Sequence, residues 1–123
     1  MANQNEKGLK RILNACVFSY YGYKATWEHE EAFRQEVMLF VVTTPLALWL
    51  GNTTVEKLLL VGSMVLVLLV ELLNSAVEAV VDRVGLEHHE LSGRAKDIGS
   101  AAVNLSLVWA AITWISILLL RGI

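Results

Sequence analysis

Leu58-Leu59-Leu60-Val61-Gly62-Ser63-Met64-Val65-Leu66-Val67-Leu68-Leu69-Val70 is a run of thirteen uncharged residues. It passes directly into Glu71-Leu72-Leu73-Asn74-Ser75-Ala76-Val77-Glu78-Ala79-Val80-Val81-Asp82. Together they read as one long membrane helix whose second half carries carboxylates. On a helix Glu71, Asn74 and Glu78 are three and then four residues apart, so they stack on one face about a turn from each other, and Asp82 continues the stripe. Ionisable groups within a membrane helix are costly and usually line a polar interior or a working site. A helix end reaching into the headgroup layer is enough to explain Asp82 and Glu78. Glu71 sits deeper and shares its face with a polar neighbour.

The rest of the 123 residues fits a small membrane protein. Of all residues 55% are hydrophobic and only 18% are charged, more apolar surface than a soluble chain of this size can hide. A spanning helix needs about 20 mostly apolar residues, and three segments qualify: 32–50, 55–81 and 98–120. The first opens on Arg34, Gln35 and Glu36 and holds Pro45, which membrane helices tolerate. Ahead of it, Leu9, Ile12, Leu13, Cys16, Val17 and Tyr20 recur at helical spacing, with Lys10, Arg11 and Asn14 elsewhere. Residues 6–28 therefore read as an amphipathic helix lying in the membrane surface, with Tyr20, Tyr21, Tyr23 and Trp27 suited to the interface. A soluble helix docked on a partner would look similar. Cys16 is the only cysteine, so no internal disulfide can form, and no short apolar stretch with a small-residue cleavage site marks a signal peptide. The expectation is an all-α membrane protein, one domain over 1–123, with no nucleic-acid partner.

Three spans place the N-terminus and the 82–97 stretch on one side. That side holds Lys7, Lys10, Arg11, Lys24, Arg34, Arg83, Arg94 and Lys96, and the other holds Lys57 and Arg121. Eight basic residues against two make the first side cytoplasmic by the positive-inside rule. On that side gather Glu30, Glu31, Glu78, Arg94, Lys96 and Asp97, with Glu71 within reach. Carboxylates with few His or Cys companions suit magnesium, which keeps several waters and is shared with substrate phosphates. Basic residues beside them suit the remaining phosphate charge. A third, deeper carboxylate could take a proton from a hydroxyl. That set is what phosphoryl transfer to a lipid alcohol requires. No Walker-type or kinase-type glycine loop accompanies it, and adjacent histidines such as His88 and His89 on a polar loop are commonly just solvated. The residues themselves establish an intramembrane acidic site with cations nearby, and leave its chemistry open.

The run from Glu71 to Asp82 resembles, without a departure, the signature E-x-[LIVM]-N-[ST]-[SA]-[LIV]-E-x-x-V-D of the prokaryotic integral-membrane diacylglycerol kinases. Glu30-Glu31-Ala32-Phe33-Arg34-Gln35-Glu36 and His89-Glu90-Leu91-Ser92-Gly93-Arg94-Ala95-Lys96-Asp97 look like two further blocks of that family, in the same order. The resemblance implies a homotrimeric bundle in the bacterial inner membrane, with active sites shared between neighbouring protomers at the cytoplasmic face. It implies magnesium as cofactor, ATP as co-substrate and 1,2-diacylglycerol as the acceptor that becomes phosphatidate, by direct in-line transfer. Carried over residue by residue, Glu71 is the general base and Asn74 orients it or a phosphate. Glu30 and Glu78 hold the metal. Arg11, Phe18, Glu30, Asn74, Glu78, Glu87, His88, His89, Lys96 and Asp97 are the expected nucleotide contacts. Arg11, Ser19, Trp27, Ala32, Phe33, Arg34, Gln35, Glu36, Trp49, Glu71 and Ser100 are the expected lipid contacts. For Trp27 and Trp49 ordinary interfacial anchoring explains the residue equally well, and for Arg34 snorkelling does. Family members often carry Lys and Tyr where this chain has Asn14 and Phe18, which removes polar groups from the side expected to meet the base or sugar.

Three alternatives have their own signatures. An undecaprenol kinase of the same fold would share the site and differ in its lipid. A small proton-coupled transporter also relies on a buried Glu, yet has no need of Glu30, Glu78 and Lys96. A non-enzymatic membrane subunit would use the polar groups to hold helices together.

Overall fold

The computed structural model describes residues 7–122. They form four α-helices in chain order: α1 Gly8–His29, α2 Glu31–Leu50, α3 Thr54–Val84 and α4 Glu90–Leu120. The chain is all-helical, and α2, α3 and α4 are each long and apolar enough to cross a membrane. Glu6, the expected start of the first helix, lies outside the described residues.

The polar 82–97 stretch is mostly helix. At about 1.5 Å per residue, the 31 residues of α3 and of α4 each reach ~46 Å, beyond the ~30 Å hydrocarbon core. α3 runs through Asp82 and Arg83, and α4 starts at Glu90, leaving 85–89 as the connection. Hydropathy ends where charge begins, but Glu, Arg, Lys and Ala are good helix formers in water, so the hydrogen-bonded spiral continues past the apolar run.

Short connections make α2, α3 and α4 antiparallel neighbours. Between α2 and α3, Gly51 is buried, and a Cβ there would lie 2.9 Å from Ala47 O and 3.2 Å from Lys57 N, so the corner closes only without a side chain. Thr53 starts α3, its side chain accepting from Glu56 N at 3.1 Å while Asn52 N donates to Glu56 Oε1 at 3.4 Å, close to a capping box. From the far end of α4, Arg121 Nη1 donates to Leu50 O at 2.9 Å and to Glu56 Oε1 at 2.7 Å. That guanidinium ties three helices together.

α3 is the centre of the bundle and packs most extensively on α4. Its buried residues are Leu60, Ser63, Met64, Val67, Glu71 and Asn74, one stripe at three- and four-residue spacing. Met64 and Val67 meet Ala110 of α4, with Phe40 and Trp114 packed around them. The facing side of α4 carries Ser106, Ala110 and Thr113, small residues that let membrane helices approach closely. Their hydroxyls are satisfied within the helix, Ser106 to Val103 O at 2.7 Å and Thr113 to Trp109 O at 2.8 Å. On α2 the hydroxyls of Thr43 and Thr44 both bond to Phe40 O in the turn before Pro45. The outward faces are apolar: Leu39, Val42, Leu69, Leu73, Leu105 and Trp109 are all exposed. α1 buries no residue and touches α2 and α3 only lightly.

Candidate active site between α1, α3 and α4

The buried stripe of α3 changes character one turn beyond Val67. Glu71 is 3% exposed and Asn74 is 9% exposed, so the helix presents a carboxylate and an amide to the bundle interior where the preceding turns present Met64 and Val67. Asn74 Nδ2 donates to Glu78 Oε1 at 3.4 Å, one turn further. From the corner between α1 and α2 comes Glu30, in extended conformation with its N–H donating to Thr26 O at 2.9 Å. Partial burial, and then the charges of Glu78 and Asp82, hold the Glu30 carboxyl above the ordinary carboxylate range, with His29 pulling the other way. On α2, Glu36 Oε2 is buried without a hydrogen-bond donor among the described residues, and Glu36 and Glu71 lie close enough to repel each other. Glu71 also feels the charges of Glu30 and Glu78. Glu30, Glu36, Glu71 and Glu78 thus converge as one acidic group.

Such a group gains from a cation. Among the described residues no three or more His, Cys, Asp or Glu side chains are arranged to hold a metal. Glu30 and Glu78 offer a carboxylate pair in place of a cage. That matches magnesium, which one or two carboxylates hold together with waters and substrate phosphates. The donor set fits the ion.

Lys96 of α4 brings a cation to this side, with Nζ 2.8 Å from Asp82 Oδ1 and Glu78 within electrostatic reach. Glu87, His88, His89 and Lys96 border a recess of about 160 Å³ that also touches Asp82. Asp97 lies on another face of α4, in a shallow groove with Arg94 and Ile98. His89 has a structural task as well, since its Nδ1 accepts from Leu91 N at 3.0 Å and caps α4. A second opening of about 400 Å³ runs between α1 and α3, bounded by Gly22, Ala25, Thr26, Glu30, Ser75 and Ala79. Small residues on both helices keep it open.

The expected lipid contacts are more scattered. Ala32, Phe33, Arg34, Gln35 and Glu36 form the first turns of α2, with Phe33 buried and Ala32 and Gln35 exposed. Arg34 Nη1 donates to Trp27 O at 2.6 Å and to Glu28 O at 3.3 Å, so its guanidinium caps the end of α1. Ser19, Trp27 and Ser100 are exposed, and Phe18 is half-buried. Trp49 is 79% exposed at the opposite end of α2. Arg11 sits near the start of α1, roughly 28 Å along the helix from Glu30 at about 1.5 Å per residue. One chain therefore gathers Glu30, Glu36, Glu71, Asn74 and Glu78, and leaves Arg11 and Trp49 apart from them.

Three residues join the site that sequence reasoning gave no role. Asp82 pairs with Lys96; its place in the acidic stripe was the available signal. Ser75 Oγ, beside the α1–α3 opening, is buried with no hydrogen-bond partner among the described residues. Gly99 faces Asn74, and a lone helical glycine gives no sign of its neighbour until two helices are in register.

Comparison with known proteins assigns this arrangement to a family. Residues 17–118 match the family described as prokaryotic diacylglycerol kinase. The chain is 51% identical over 114 residues to a diacylglycerol kinase of Escherichia coli strain K12, covering 93% of each chain. It is 50% identical over 116 residues to one of Pseudomonas aeruginosa, covering 94% of each. With one of Haemophilus influenzae it shares 49% identity over 111 residues, 90% of this chain and 94% of the relative. The chain belongs to the prokaryotic diacylglycerol kinase family.

Proposed function

We propose that this protein is an ATP-dependent diacylglycerol kinase that converts 1,2-diacylglycerol to phosphatidate. The observation that carries the reading is the buried α3 stripe, where Glu71 is 3% exposed in an apolar helix and Glu78 and Glu30 lie at its outer end. A carboxylate kept from water and next to the hydrocarbon region can meet a lipid hydroxyl that never leaves the membrane. The relatives named above, each called diacylglycerol kinase, supply the acceptor.

In this reading Glu71 takes the proton of the lipid's free hydroxyl as its oxygen attacks the γ-phosphorus. The new O–P bond forms while the bond to the bridging β–γ oxygen breaks, and ADP leaves. Asn74 orients Glu78, Lys96 offsets phosphate charge, and Asp97 contacts the metal shell of the phosphates. Glu30 and Glu78 would hold magnesium, which when bound would neutralise phosphate charge. The first turns of α2 guide the lipid towards Glu71, and the acyl chains run along the membrane side towards Trp49.

Three copies complete the site. The exposed apolar faces of α2, α3 and α4 support this, as does the distance that separates Arg11 from the acidic group within one chain. With eight basic residues on the Glu30 side and two on the other, the nucleotide side is cytoplasmic and the bilayer is the bacterial inner membrane. α1, burying no residue of its own, lies in the interface.

The test is transfer of labelled γ-phosphate from magnesium-ATP to short-chain diacylglycerol in detergent micelles. Label appears in phosphatidate, and a chelator abolishes it. No label in the lipid contradicts the reading. Label retained on acid-quenched protein contradicts direct transfer.

A further inference from the structure

Gly99 of α4 stands directly against Asn74 of α3. A Cβ built on Gly99 would overlap Asn74 Oδ1 and lie 3.1 Å from its Cγ. Asn74 is 9% exposed. Its Oδ1 is buried and accepts no hydrogen bond among the described residues, while its Nδ2 donates to Glu78 Oε1 at 3.4 Å. The amide is held at both ends, against bare backbone on one side and on a carboxylate on the other.

We propose that Gly99 is a positioning residue: the absence of a side chain there seats Asn74, and Asn74 in turn orients the Glu78 carboxylate towards the phosphates and their magnesium. The inference rests on the kinase reading for its ligand and goes beyond it in naming Gly99.

The geometry predicts an unusual outcome for a small substitution. The three heavy atoms nearest a methyl at position 99 all belong to the Asn74 side chain. The helices need not separate. Asn74 rotates instead, and its bond to Glu78 breaks. Alanine is also the better helix former, so the backbone of α4 is favoured by the same change. Damage falls on the carboxylate's orientation while the fold is spared. A packing role would do the reverse, because overpacked helix contacts lower stability first.

The experiment measures the magnesium dependence of binding of a non-hydrolysable ATP analogue in detergent. Wild type, Gly99→Ala, Asn74→Ala and the double variant are compared, with thermal unfolding and oligomeric size followed alongside. Losing a hydrogen bond to a charged group should raise the magnesium needed for half-maximal binding by roughly tenfold in Gly99→Ala. The thermal midpoint and the KM for diacylglycerol should stay at wild-type values. Because both residues act through one contact, the double variant should be no worse than Asn74→Ala alone.

Wild-type metal dependence in Gly99→Ala overturns the proposal. So does an additive loss in the double variant, or a loss that comes with a lower thermal midpoint or broken assembly. Failure of the kinase reading looks different. Wild type would then leave diacylglycerol unphosphorylated, while the Gly99 comparison would still be decided by nucleotide binding.

Discussion

Glu30 is held at the α1–α2 corner against its own electrostatic interest. Burial and the charges of Glu78 and Asp82 disfavour its ionised form, and a magnesium ion would reverse that. Glu30→Gln should therefore leave the metal-free protein at least as stable as wild type, and should shrink the rise in thermal midpoint that magnesium-nucleotide produces. Unfolding curves with chelator and with the metal complex check both halves; a lower midpoint in chelator would contradict the account. Asp82 makes a different prediction. Its carboxylate holds Lys96 Nζ at 2.8 Å, so Asp82→Asn should raise the KM for magnesium-ATP several-fold. That increase should vanish in a Lys96→Ala background. The acidic stripe was legible because helical spacing alone puts Glu71, Asn74 and Glu78 on one face. The Asp82–Lys96 and Gly99–Asn74 contacts were not, because each depends on how α3 and α4 slide against one another, which neither segment encodes by itself.

Two ends of the same helices do different work. At one end, that of the 85–89 connection, α3 and α4 carry the candidate site. At the other, Arg121 reaches back to Leu50 O and Glu56 Oε1 and clamps α4 to the α2–α3 corner. Arg121→Ala should lower the thermal midpoint by a few degrees and leave the transfer rate at low temperature unchanged, since the clamp touches none of the site residues. A matching loss of rate in the intact protein would show that the clamp reaches the site. The helical class and the three long apolar helices were readable from hydropathy and period. The charged 82–97 stretch reads as part helix extension and part turn, as found, while the exact ends at Val84 and Glu90 were hidden because charge ends a hydropathy window without ending a helix. Thr53-x-x-Glu56 carries the capping signal for the start of α3.

As a whole, one chain buries little. Leu60 and Val67 are its largest fully buried side chains, and long apolar faces remain exposed on α2, α3 and α4. Lipid can cover them, but lipid cannot bring Arg11, roughly 28 Å along α1 from Glu30, to the acidic group. The account therefore expects three copies per particle, by cross-linking in membranes and by light scattering in detergent. It also expects mixed particles of Glu30→Gln and Glu71→Gln chains to regain activity by pairing intact halves of shared sites; no recovery would place each site within one chain. The chemistry proposed for the site turns on one step, in which a buried carboxylate on α3 takes a proton from a lipid hydroxyl. Its most direct test is the rate of label transfer from magnesium-ATP to diacylglycerol in wild type beside Glu71→Gln, with assembly and nucleotide binding checked in both. The account predicts an intact particle that still binds nucleotide and loses roughly 10²- to 10⁴-fold in kcat, the range for removal of a general base. A Glu71→Gln protein that phosphorylates the lipid at the wild-type rate would contradict it.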